Sequence, residues 1–184
     1  MGRLSGVLHS RIAVRLRPYL SNVKVLGIDP GTAACGYGIV QERDGRLRAV
    51  AHGVWRTAAH TRLELRLRTI FDGVEELVEE HAPDAVALEE SFVGVDARTA
   101  LSVGQARGAV LVACARAGVE AAEYAPNRVK QMICGYGHAE KAQVQGMVKA
   151  ILGLADVLRP HHAADALAVA ICHALAPPLL KAAG

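Results

Sequence analysis

Four side chains suited to holding a divalent cation stand at the margins of apolar runs, where burial gives them no reason to be. Asp29 closes the run Val23-Lys24-Val25-Leu26-Gly27-Ile28 and is followed at once by Pro30-Gly31. Glu89, with Glu90 beside it, closes Ala85-Val86-Ala87-Leu88. His162 and Asp165 open the last apolar stretch, Ala166 to Ile171, and their spacing puts them on one face of a helix. A carboxylate at the end of a buried strand, beside a glycine-rich turn that admits a phosphate backbone, suits a hard cation with oxygen ligands. Three acids and an imidazole gathered in one place oppose one another's ionisation, so the set is unfavourable without cations. With two divalent ions about 3.5–4 Å apart it becomes machinery for phosphodiester hydrolysis, one ion activating water and the other stabilising the leaving oxygen. Each residue alone has a plainer reading. Asp29 is a turn former before Pro-Gly, Asp165 a first-turn acid on a helix dipole, and His162 a cap or surface residue.

Convergence therefore depends on the elements between them. The apolar run into Asp29, the Pro30-Gly31 break and the resumption at Gly36 to Val40 read as a hairpin. The Asp44-Gly45 turn leads into a third strand, Arg46 to Val54. Leu63, Leu67, Ile70, Val74, Leu77 and Val78 recur three and four apart and predict an amphipathic helix over 61–81. After Pro83 comes a short buried strand into Glu89, then a loop over 91–96 that carries Phe92. Ala97 to Ala117 is an Ala-rich helix whose Gly104 and Gly108 suit either packing on the sheet or an oligomer contact. A strand over 119–124 precedes a helix opened by Pro126, carrying Lys130 and closed by Gly135-Tyr136-Gly137. Helices over 139–152 and 163–176 complete the chain before Pro177-Pro178. Three strands, helix, strand, helix, strand and helices predict an α/β fold with a mixed five-stranded sheet and helices on both faces.

The 184 residues suit a single domain with a sizeable core, expected over 23–176, with an N-terminal extension at 1–22 and a short tail at 177–184. Cys35, Cys114, Cys134 and Cys172 stand singly in apolar surroundings, which argues against a disulfide framework or thiolate zinc site and for a reduced, cytoplasmic protein. No apolar stretch reaches the ~18 residues of a membrane span. The net charge of +3 owes much to Arg3, Arg11, Arg15 and Arg17 in a segment without acids. Distribution says more: residues 62–96 carry three Arg against ten Asp or Glu, whereas residues 97–152 carry seven Arg or Lys against three Glu. The second half thus has the makings of a basic face for nucleic acid.

Read together, GIDPG…GYG at 27–38, ALEESF at 87–92, GQARG at 104–108, EYAPNRVKQ at 123–131, AEKAQVQ.MV at 139–148 and HAADALAVAICH at 162–173 resemble the RuvC-type Holliday junction resolvases, members of the ribonuclease H-like superfamily. The resemblance implies a homodimeric, metal-dependent endonuclease that nicks opposed strands of a four-way junction symmetrically and leaves ligatable ends. It implies two Mg2+ per subunit, with Mn2+ able to substitute, and a branch-migration complex of a junction-recognition protein and an ATPase motor as partner. By the same resemblance Asp29 is the acid shared by both ions, Glu89 the ligand of the second strand and Asp165 the acid of the last helix, while Glu90 is a neighbour. At His162 many family members have aspartate; an imidazole nitrogen suits manganese better than magnesium, or acts on the attacking water. Lys130 and Lys141 match lysines near the junction backbone and active site, Lys141 with a catalytic role. Phe92 matches a loop aromatic that resembles a base-stacking wedge, and Arg98 and Arg107 are further candidates for backbone contact.

Other functions fit less of the sequence. GIDPGT also resembles the first phosphate loop of actin-like sugar kinases, but no second strand-loop unit or adenosine site follows. A related RNA-processing nuclease lacks segments matching GQARG and AEKAQVQ. A module that binds junctions without cutting has no need of Glu89 and Asp165, which cost stability.

Overall fold

The computed structural model describes residues 22–90 and 96–176. Within them, five apolar segments pair into one sheet whose order is β3-β2-β1-β4-β5. β1 (Lys24–Asp29), β2 (Ala34–Arg43) and β3 (Arg46–Arg56) form an antiparallel meander. β4 (Ala85–Glu89) then runs parallel to β1, and β5 (Ala121–Tyr124) parallel to β4. The expected mixed five-stranded sheet is thus found. Five helices accompany it: α1 (Leu63–His81), α2 (Ala97–Ala117), α3 (Pro126–Cys134), α4 (Lys141–Leu152) and α5 (His161–Leu175).

Alternation along the strands divides the core into two layers. Leu26, Ile28, Cys35, Ile39, Val86 and Leu88 face Ile70 and Val74 of α1 and Ala106, Val110 and Ala113 of α2. On the other face, Val25, Val40 and Ala87 meet α5, with Val129 and Ile133 of α3 and Val144 and Val148 of α4 outside them. Burial is nearly continuous along α5 from Ala163 to Ala174. Such a helix is apolar all round because it has neighbours all round.

The glycines of the opening motif serve this layer. A methyl group on Gly27 would run into the Ala166 carbonyl of α5, and one on Gly36 into the His162 carbonyl. Side chains there would lift α5 off β1 and β2. Gly27 in β1 and Gly36 in β2 thus leave the room that α5 fills.

Element ends differ from the periodicity by a residue or two. Arg62 is extended (φ −55°, ψ 142°), so α1 starts at Leu63 and not at 61. Glu140 and Gln143 form a reciprocal capping box that starts α4 at Lys141. β5 starts late because Gly118, at φ 69°, turns the chain after α2. Gly104 and Gly108 take no part in packing on the sheet, since a methyl group on either would meet nothing within 4 Å. Among the described residues no helix is long and apolar enough to cross a membrane.

Candidate active site

Because β1 and β4 are parallel neighbours with Ile28 opposite Leu88, their last residues leave the sheet at the same edge. Asp29 lies on the same face as Val25 and Gly27, and Glu89 on the same face as Ala87; both face α5. The glycine seat then fixes where α5 begins. Its first turn delivers His162 and Asp165 to that edge, with His162 Nδ1 2.7 Å from Asp29 Oδ2. Lys141, at the capped start of α4, donates from Nζ to Asp165 Oδ2 at 2.7 Å. Lys130 of α3 comes near enough for its charge to act on Glu89. The structure thus brings together Asp29, Glu89, His162, Asp165, Lys141 and Lys130, drawn from five elements.

Electrostatics describe a site short of positive charge. Burial pushes the Glu89 carboxyl up from 4.5 to about 7, the charges of Asp29 and Asp165 push the same way, and Lys141 and Lys130 oppose them. Asp165 is also raised, chiefly by burial, even with Lys141 bonded to it. The hydrogen bond to Asp29 raises His162 and favours the imidazolium, against the effect of burial. Burial disfavours the Lys141 cation, yet its pKa is raised through Asp165, with Asp29 and Glu89 contributing. Among the described residues no hydrogen bond reaches the Glu89 carboxylate and no three acid, histidine or cysteine side chains form a finished cage for an ion. His162 and Lys141 contact the carboxylate oxygens of Asp29 and Asp165. Three carboxylates, two of them raised chiefly by burial, plus one imidazole form a donor set that fits Mg2+ or Mn2+.

The remaining candidates fall outside this cluster. The Glu90 side chain is exposed and its N–H donates to the Tyr124 carbonyl, in keeping with a neighbour's place. His161 turns away to Gln145, Nδ1 to Nε2 at 2.9 Å. Arg98 is exposed on the first turn of α2. Arg107 is already engaged: its Nε and Nη2 bond both oxygens of Glu123 at 2.5 and 2.7 Å. Phe92 lies outside the described residues, as do residues 1–21 and 177–184.

Sequence reasoning missed a polar group behind Asp29, in which Arg66, Thr57, Thr32 and Ser102 are joined by hydrogen bonds. A signal for it existed. Arg66 is three residues from Leu63 and four from Ile70, on the stripe by which α1 packs.

The sequence profile of the crossover junction endodeoxyribonuclease RuvC family matches residues 25–173. The chain belongs to the RuvC family. A relative described as crossover junction endodeoxyribonuclease RuvC, from Heliobacterium modesticaldum, is 53% identical over 148 residues, 80% of this chain and 91% of that one. Thermus thermophilus RuvC, solved in complex with a Holliday junction substrate, is 42% identical with a TM-score of 0.79, covering 83% of this chain and 93% of that one. The yeast mitochondrial Holliday junction resolvase, at 12% identity and a TM-score of 0.55 over 86% of this chain and 82% of that one, shares the fold. The RuvC resemblance carried by the six motifs is thereby borne out, and the ribonuclease H-like sheet with it.

Proposed function

We propose that this chain resolves Holliday junctions in recombination and repair, as a metal-dependent endonuclease that places paired, symmetric nicks in opposed strands and leaves 5′-phosphate and 3′-hydroxyl ends. The observation that carries this reading is the meeting of Asp29, Glu89, His162 and Asp165 at one sheet edge in a RuvC-family chain. Asp29, Glu89 and Asp165, with His162, would hold two Mg2+ per subunit, and Mn2+ would substitute. When bound, such ions supply Lewis acidity for the attacking water and the leaving oxygen. The chain's own residues do the rest. Lys141 neutralises Asp165 until substrate arrives and then lies beside the scissile phosphate. Lys130 and the exposed Arg98 add charge for the backbone, and Phe92 supplies the stacking wedge. Arg107 acts through Glu123, holding β5 beside the site.

A homodimer is part of the same proposal, because a twofold pair of sites matches the symmetry of an open junction. α2 supports it: Leu101 and Val112 are 63% and 59% exposed and flank the open surface over Gly104 and Gly108. A branch-migration complex of a junction-recognition protein and an ATPase motor is the proposed partner, the cytoplasm the proposed location, and residues 23–176 the single nuclease domain.

The test is cleavage of a synthetic four-way junction and of linear duplex by wild type and Glu89→Gln, each with magnesium or manganese. Paired nicks in the junction alone, lost in the variant while binding persists, are expected. A wild type that binds the junction and cuts with neither ion would replace this reading with a binding module.

A further inference from the structure

The turn that follows Asp29 is tied down from the face opposite α5, by side chains that no step of cleavage uses. Thr32, three residues beyond Asp29, is only 4% exposed. Arg66 of α1 donates from Nη2 to the Thr32 hydroxyl at 2.9 Å, and from Nε to the Thr32 carbonyl at 3.2 Å and the Thr57 hydroxyl at 2.9 Å. Thr57, just past β3, donates its own hydroxyl to that carbonyl at 2.5 Å and its N–H to the Ala33 carbonyl at 3.1 Å. From α2, the Ser102 hydroxyl meets the Thr32 hydroxyl at 2.5 Å. Two helices and the segment after β3 therefore grip two consecutive residues of one turn.

Packing alone does not account for this arrangement. Arg66 is half-buried and takes part in none of the described ion pairs, so its charge is partly desolvated without a carboxylate in return. An apolar side chain at this place on the α1 stripe would cost less. What a guanidinium offers instead is a rigid fork that fixes the positions of its acceptors. The turn is otherwise held near its start, by the Pro30 ring and by the Gly31 backbone bonded to buried Cys35, and Gly31 admits no side chain because a methyl group would strike the Ala34 carbonyl. A small hard cation tolerates little error in where its ligand oxygens stand, and partners behind the ligands supply that accuracy.

We propose that Arg66, acting through Thr32, is a positioning residue for Asp29, fixing the β1–β2 turn so that the carboxylate stands where a divalent cation can use it. The inference rests on Asp29 being a cation ligand, as in the proposed function.

The experiment titrates the full chain, without DNA, with Mn2+ and counts free ion by electron paramagnetic resonance, for wild type, Arg66→Lys, Thr32→Val and Thr32→Ser. Junction affinity without divalent ion and the magnesium concentration for half-maximal cleavage are measured alongside. Arg66→Lys keeps the charge and loses the fork; Thr32→Val keeps the volume and loses the hydroxyl. Both are expected to weaken Mn2+ binding about tenfold and to raise the magnesium requirement similarly, with junction affinity within about twofold of wild type. Thr32→Ser, which keeps the hydroxyl, is expected to restore Mn2+ binding. Unchanged Mn2+ affinity in a folded Thr32→Val, or a Thr32→Ser as weak as Thr32→Val, overturns the proposal, and Thr32→Val decides should Arg66→Lys not fold. If Mn2+ binding shifts as described but wild type never cuts a junction, the positioning role stands and the resolvase reading falls.

Discussion

Replacing Glu89 with glutamine should make the metal-free protein more stable while abolishing cleavage. The Glu89 carboxyl sits at about 7 in the folded protein, against 4.5 ordinarily, chiefly because it is buried. The sign follows from proton binding. A folded state that holds this proton more tightly than the unfolded chain loses stability as pH rises from about 4.5 through about 7. At pH 8 the penalty amounts to about 3 kcal/mol, and at pH 5 to less than about 1 kcal/mol. Glutamine keeps the shape and cannot ionise. For a chain of this size the variant should melt roughly 6 to 12 °C above wild type at pH 8 in EDTA, with most of that gain gone at pH 5. Urea unfolding at the two pH values gives the free energies directly. Magnesium at one thousand times its Kd should reverse the order, since it then stabilises wild type by about 4.1 kcal/mol, more than the penalty, and has lost a ligand in the variant. A Glu89→Gln protein no more stable than wild type at pH 8, or equally stabilised at both pH values, would refute the account of a site short of positive charge.

Gly36→Ala forces a methyl group against the His162 carbonyl and should cost at least about 3 kcal/mol in urea unfolding, with cleavage lost because α5 is displaced. His162→Asp should lower the manganese-to-magnesium ratio of cleavage rates, and it should make the acid limb of the metal-binding pH profile shallower, because the bond to Asp29 that favours the imidazolium is gone while Glu89 still titrates. Lys141→Met removes the donor to Asp165 and should slow single-turnover cleavage about a hundredfold while junction affinity, read by gel shift, falls much less. Lys130→Ala should weaken binding to all junction sequences alike and reduce the slope of log affinity against log salt by about one per subunit.

Much of the site was legible because its residues break a pattern. Asp29 and Glu89 end apolar strands, and Asp165 opens an apolar helix, so each stands out against its neighbours without any fold in hand. His162 and Asp165 could be placed on one face from spacing alone. The strand and helix order was legible for the same reason, with errors confined to ends such as 61 and 119, where capping geometry and a left-handed Gly118 overrule periodicity. Long-range partners were not legible. Nothing local says that Arg107 is held by Glu123, or that Lys141 reaches Asp165 across 24 residues. Gly27 and Gly36 carried a signal that is only half readable. Missing side chains signal that something comes close, but not whether it is a phosphate or a helix backbone. Arg66 escaped notice because a charged residue at a helix start reads as solvated, although its place on the α1 stripe argued otherwise.

The seating of α5 against bare strands has a consequence for when this protein is able to cut at all. Two of the four residues proposed to hold the ions ride on the first turn of the element most enclosed by the rest of the chain, so they are placed beside Asp29 and Glu89 only while the body of α5 stays seated. Amide exchange along α5 should accordingly be among the slowest in the molecule. The proposed ligand set is then complete only once α5 has docked, and a chain whose last helix is unseated would bring Asp29 and Glu89 alone to the sheet edge.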